Sequence, residues 1–299
     1  MSSLNNSSCR IYVNIIQLLY IYLFKGDISM PYVEKKPIKR SKLRLFIGEN
    51  YYKIKKYFYW FFSDNTYSKN INDSNLKYLI FTHKTPLYRK LKDVDMYLQE
   101  NKVQNLKLAL KKINGIIISP GEYFSYWKLI GKPSYKKGYK DGVILCPDGS
   151  FKPGVGGGLC QLSNLIYWMT LHTPLTVTER YRHSHDVFPD VKRTQPFGSG
   201  ATCYYNYLDL EIKNTTKTTY QLILYLTDSH LIGEWRAVEP CNYTYEVYEK
   251  EHSMTPGFFG RYIRNNIIYR KVFNLNKELI NDEFICENHA FMMYQPYLS

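Results

Sequence analysis

The 299-residue chain has few cysteines, and they are scattered. Cys9, Cys146, Cys160, Cys203, Cys241 and Cys286 form no C-x-x-C and no closely spaced pair. This excludes a disulfide-dense secreted module and points to a reducing compartment. Long apolar runs are missing too. The nearest approach, residues 11–24, is 14 residues long and holds Asn14 and Gln17, whereas a membrane-spanning helix needs about 20 apolar residues. As an export signal this stretch has only Arg10 before it and no small-residue cleavage site after it. The expected location is therefore cytoplasmic, or peripheral at the inner face of the membrane, with export as the alternative. Acidic residues are scarce, 26 against 40 basic ones, leaving a formal charge of +14. There is no internal repeat, and no Lys-Ser or Lys-Thr follows the glycines of residues 154–158, which excludes a P-loop.

Aromatic residues are abundant: 30 Tyr, 15 Phe and 4 Trp, within 44% hydrophobic residues overall. That is enough apolar material for a packed core. Residues 1–29 read as a non-native or loosely packed extension, because Met30 opens a second plausible start. Residues 30–75 read as a basic, aromatic arm and a polar linker. The arm carries Lys35, Lys36, Lys39, Arg40, Lys42, Arg44, Lys53, Lys55 and Lys56, followed by Tyr57, Phe58, Tyr59, Trp60, Phe61 and Phe62. Such a segment suits an anionic membrane surface. Nucleic acid is the less favoured partner, since no nucleic-acid fold signature follows.

Val103, Leu106, Leu110 and Ile113 recur at helical spacing, which predicts a helix over 101–114 stopped by Gly115. A second helix is predicted over 159–171, entered from the glycine run and ended before Pro174. Short strands are predicted at 78–81 and 116–118, then alternating ones around 175–182, 208–212, 222–226 and 243–249. A hairpin over 267–285 turns at residues 274–277. Helices followed by a mostly antiparallel sheet make an α+β fold, with a Gly-rich loop leading into a central helix. A main domain over 76–240 and a C-terminal β extension over 241–299 complete the organisation.

Gly156, Gly157 and Gly158 run directly into Cys160. Glycines let backbone amides approach a ligand, and a thiol at a helix N-terminus tends toward thiolate. Cys160 thus reads either as a nucleophile or as a small apolar residue in tight packing. His183 is the candidate base, with His185 on the same face if the segment is a strand. Asp209 and Asn214 are the candidates for a third, orienting residue. In the binding reading, Gly156, Gly157, Gly158, Gln161, Ser163 and Arg180 hold a peptide or anionic ligand. Cys160, His183, His185 and Cys203 match no zinc-ligand spacing, so neither a metal nor a cofactor is expected.

Several motifs occur in order: residues 99–109, 120–126 (PGEYFSY), 138–142 (GYKDG), 156–164 (GGGLCQLSN), Glu179-Arg180 with His183, and Leu208-Asp209-Leu210 with Asn214. Together they resemble the VanW family over about residues 75–240. The C-terminal segment resembles an extension of Bacillus-type members. The resemblance implies a setting in glycopeptide resistance and cell-envelope biology, with a cell-envelope precursor as partner, and implies no reaction. Its alternative is a Cys–His acyl or peptidyl transferase or hydrolase. One departure stands out. Family members carry Asp-Ala-Thr where this chain has Gly200-Ala201-Thr202.

Overall fold

The computed structural model describes residues 41–88, 95–146, 149–187, 195–257 and 260–294. The expected extension over 1–29 and the basic residues before Ser41 lie outside them. Helix α1 spans Lys42–Phe62, opened by the Ser41 side chain accepting from the Arg44 amide. Helix α2 (Met96–Ile113) turns Leu98, Gln99, Lys102, Asn105, Leu106, Ala109, Leu110 and Ile113 inward, at three- and four-residue steps. It starts five residues before the predicted limit, because Leu98 and Gln99 continue the buried stripe. Short α3 covers Tyr126–Ile130.

Helix α4 (Cys160–Leu171) is buried on nearly every side. Leu162, Leu165, Ile166, Tyr167, Trp168, Met169 and Leu171 place buried residues around most of its circumference, as suits a central helix rather than an amphipathic one. It ends at His172, two residues before Pro174, which disfavours helical backbone in Thr173.

Strands β1 (Tyr78–Pro86), β2 (Ile116–Ile118), β9 (Tyr220–Leu226) and β10 (His230–Ala237) form an antiparallel sheet in the order β1-β10-β9-β2. Helix α4 packs on β1 and β10. Trp235 in β10 is fully buried, and its indole donates to Thr170 Oγ1 of the helix at 3.2 Å. Strands β3 (Tyr123–Ser125), β6 (Thr176–Glu179) and β8 (Glu211–Lys213) form a second antiparallel sheet. Strands β4 (Asp141–Leu145) and β5 (Phe151–Val155) pair as a hairpin leading into the glycine turn. The third sheet joins β11 (Tyr243–Pro256), β12 (Tyr262–Asn274) and β13 (Leu279–Met292), with β7 (His185–Asp186) parallel to β13 at its edge. The turn at 274–277 closes with Lys277 N–H donating to Asn274 O. The α+β class read from the sequence holds.

Both expected domain boundaries are crossed by close contacts. Before residue 76, Ser68 N–H donates to Tyr123 O and Ile117 N–H to Asn70 O, so the polar stretch 63–75 is bonded to β2 and β3. After residue 240, β13 pairs with β7, and Arg270 Nη1 reaches the carbonyls of Leu171 and Thr173. Strand β6 is also shorter than the predicted 175–182, and His183 lies in a non-strand connection before β7.

Candidate functional site

The glycine turn is a packing device. Gly157 lies so close to Gly142 that a Cβ on it would sit 2.2 Å from the Gly142 carbonyl carbon. Gly158 adopts φ +87° and a side chain there would strike Lys102. The three amides all have internal acceptors: Gly156 N–H donates to Lys140 O, Gly157 N–H to Gly154 O and Gly158 N–H to Val143 O. These three amides are not free to hold a peptide or anionic ligand, which corrects the binding role read for Gly156, Gly157 and Gly158 from the sequence. Asn105 completes the arrangement, donating to Lys140 O and Gly157 O and accepting from Lys140 N–H.

The thiol of Cys160 donates to Cys203 O at 3.6 Å. The residue keeps some solvent contact, yet burial of the thiol raises its pKa above the ordinary value, outweighing the backbone bonds that lower it. Of the two readings of Cys160 from the sequence, this favours the packed thiol over the helix-start thiolate, since desolvation overrides the dipole. Burial, reinforced by Arg182 and His185, pushes the imidazole of His183 down to about 4. No hydrogen bond joins Cys160 to His183 among the described residues. His185 accepts or donates at Ser184 Oγ and tilts against Phe291.

The remaining residues singled out from sequence are bonded to the fold. Gln161 donates to Thr85 Oγ1 and Pro86 O, fixing the start of α4 to the end of β1. Ser163 Oγ donates to Ala201 O at 2.7 Å. Arg180 lies over the Tyr167 ring and donates to the Gly198 and Gly200 carbonyls and to Asn288 Oδ1. Asn214 holds a turn, donating to Ile118 O and Thr218 O and accepting from Thr216. A Cβ on Gly200 would lie 2.6 Å from Asn164 Oδ1, the atom that accepts the Ala201 amide. Glycine at this position leaves that hydrogen bond undisturbed.

Asp209 belongs to a different constellation, one whose key member the sequence did not reveal. Lys56, on α1, is buried against three carboxylates: Glu179 at 2.5 Å, Glu211 at 2.9 Å and Asp209 at 3.7 Å. Asp209 also accepts from Ser125 Oγ and from the amides of Trp127 and Leu210. Burial raises its pKa to about 7, although Lys56 and these bonds oppose the rise. Glu179 is raised for the same first reason. Trp60 Nε1 and Tyr67 Oη donate to Glu211 Oε1. Asp209 and Glu211 alternate with the apolar Leu210 and Ile212 entering β8, and Glu179 ends β6, but nothing in a run of nine basic residues distinguishes Lys56 from its neighbours.

Two clefts open beside this cluster. One, about 270 Å³, is lined by Tyr67, Ser68, Lys69, Ser125, Lys128 and Leu129. The other, about 330 Å³, is lined by Tyr57, Trp60, Phe61, Trp127, Lys128, Gly131 and Tyr205. Lys128 lines both. Its ammonium donates to Trp60 O at 3.0 Å and lies 4.2 Å above the Tyr67 ring. Burial and then Lys69 lower its pKa. A cation among aromatic rings suits an anionic ligand with flat or ring-bearing parts. Among the described residues no group of His, Cys, Asp and Glu is arranged to hold a metal ion.

Residues 101–236 match the model of the family described as VanW-like protein. Over 168 residues the chain is 41% identical to the vancomycin B-type resistance protein VanW of Enterococcus faecalis, covering 56% of this chain and 61% of that protein. Over 115 residues it is 31% identical to the uncharacterized protein YoaR of Bacillus subtilis, covering 38% of this chain and 36% of that one. The chain thus spans between about a third and three fifths of the length of these relatives. No solved structure matches.

Proposed function

We propose that this chain, which carries a VanW-family domain over residues 101–236, is a ligand-binding or scaffold protein of the cell envelope in a glycopeptide-resistance setting. It works at the membrane face and takes an anionic envelope precursor in the clefts around Lys128. The setting rests on the likeness to a relative named for vancomycin resistance. The site rests on one observation: two clefts, the second walled largely by aromatic residues, share the cation Lys128. A carboxylate or phosphate would pair with that ammonium, and sugar rings would lie against Trp60, Tyr57 and Tyr205.

A binding role fits the chemistry better than the Cys–His alternative. A nucleophilic thiol needs a depressed pKa and a base within hydrogen-bond reach. Cys160 has a raised pKa and a carbonyl partner.

Titration of the full chain with soluble muropeptides, followed by calorimetry, tests the proposal. Binding that weakens about tenfold or more in Lys128→Ala, with an unchanged melting temperature, is the expected result. Absence of binding, or equal binding by Lys128→Ala, removes the site.

A further inference from the structure

Helix α1 has two opposed faces. Lys56 points into the carboxylate cluster and is only 7% exposed. On the other side, Leu43, Ile47, Tyr51, Ile54, Phe58 and Phe61 follow one another at steps of four, four, three, four and three, which places them on one stripe. All six are exposed, from 54% at Ile54 to 81% at Phe61. The stripe runs along roughly 27 Å of helix at 1.5 Å per residue. Lys42, Arg44 and Lys55 are exposed on the same helix, whose only acidic residue, Glu49, is paired with Lys53.

We infer that α1 is an interfacial anchor, which lays its Leu43–Phe61 stripe into the headgroup region of an anionic bilayer while Lys56 fixes its other face to the domain. Charge decides between occupants. A second copy of this chain would bring the same cations and a net charge of +14 against it. An anionic lipid surface supplies the opposite sign along the whole stripe, and each lysine or arginine near it strengthens binding about fivefold. No described helix is long and apolar enough to cross the membrane, so the helix lies in the plane of the interface. The inference shares with the proposed function the membrane location and one residue, Phe61, which lines the second cleft, and it does not involve Lys128.

Co-sedimentation of the full chain with phosphatidylcholine vesicles, with and without phosphatidylglycerol, tests it. Wild type should bind the anionic vesicles at least tenfold more tightly than the neutral ones. Ile47→Asp/Phe58→Asp, two stripe residues that line neither Lys128 cleft, should lose at least tenfold on anionic vesicles while muropeptide binding is kept. Because that variant could fold poorly, Ile54→Cys carrying an environment-sensitive fluorophore gives a second reading, a blue shift on anionic vesicles. Wild type remaining unbound, equal binding by the double variant, or a fluorophore that does not respond would each overturn the anchor. So would a dimer that loses its contact in the double variant and ignores vesicles. Loss of muropeptide binding alone would instead count against the Lys128 site.

Discussion

Lys56 donates to Glu211 at 2.9 Å, joining a helix outside the family-matched segment to a buried strand inside it. Glu179 and Asp209 face the same ammonium. Lys56→Met would leave three carboxylates in a buried pocket without their cation. Removing one partner of a buried ion pair costs about 3–5 kcal/mol. At about 2–4 °C per kcal/mol for a chain of this size, melting should fall by roughly 10 °C. Thermal unfolding followed by circular dichroism gives the value. A change under about 2 °C would mean that the helix is not held by this contact.

Asp209 should make stability depend on pH with a definite sign. Its carboxyl titrates near 7 in the folded protein and near 3.8 when unfolded. Between these values the folded state holds the proton more tightly, so rising pH removes stability. His172 and His183, both pushed down to about 4 by burial, act in the opposite direction up to about 6.5. Comparing Asp209→Asn with wild type cancels the histidine contribution. The stability of the variant relative to wild type should rise from pH 5 to pH 7 and level off above. Urea melts at pH 5, 6, 7 and 8 would show it, and a flat difference would refute the raised pKa.

The elements that obey a simple period were legible in the sequence. Residues 116–118 form the strand expected of them, and the 274–277 turn closes the expected hairpin. The position of the glycine run before α4 was equally plain. Its purpose was not, because the acceptors of its amides lie on Lys140 and Val143, and their nearness follows from the β4–β5 pairing. Lys56 was hidden for a related reason: burial of one lysine in a basic run depends on carboxylates more than a hundred residues away. The strand expected around 175–182 would, if eight residues long, carry His183 back beside Cys160. Strand β6 stops at Glu179, so His183 lies beyond it in a non-strand connection.

The thiol of Cys160 should react slowly. With its pKa raised by burial, little thiolate exists at neutral pH. Labelling with iodoacetamide from pH 7 to 9, read peptide by peptide by mass spectrometry, should modify Cys160 far more slowly in the native protein than in urea. His183→Ala should leave its rate unchanged within about twofold, since no hydrogen bond links the two. A large fall in that variant would revive the dyad.

Gly157→Ala tests the role assigned to the turn. The new methyl would meet the Gly142 carbonyl carbon at 2.2 Å, and neither backbone can move without breaking the hairpin or the Asn105 bonds. Overpacking of this kind costs about 1–3 kcal/mol. A guanidine melt should show a lower midpoint with an unchanged slope. Wild-type stability would mean that the close approach is not tight.

The C-terminal strands should prove inseparable from the domain they follow. Asn288, on β13, accepts from Arg180 Nη2 at 3.2 Å and donates to Asn266 Oδ1 at 2.9 Å. Asn266 in turn donates to Phe197 O. This chain of bonds ties the end of β6 to the third sheet through residues that are nearly all buried. Asn288→Ala leaves a guanidinium donor and an amide oxygen without their partner, a loss of about 1–3 kcal/mol. Truncation after Pro240 removes far more: the β7 pairing, the Arg270 contacts with Leu171 and Thr173, and the Tyr245 carbonyl bonded to His172 Nδ1. The single variant should therefore melt about 2–10 °C lower with its cooperativity kept. The truncated chain should lose its cooperative transition and expose α4 to proteolysis, because the helix ends under those strands. A truncated chain that melts cooperatively at the wild-type temperature would show instead that residues 241–294 are an independent module resting on a complete domain.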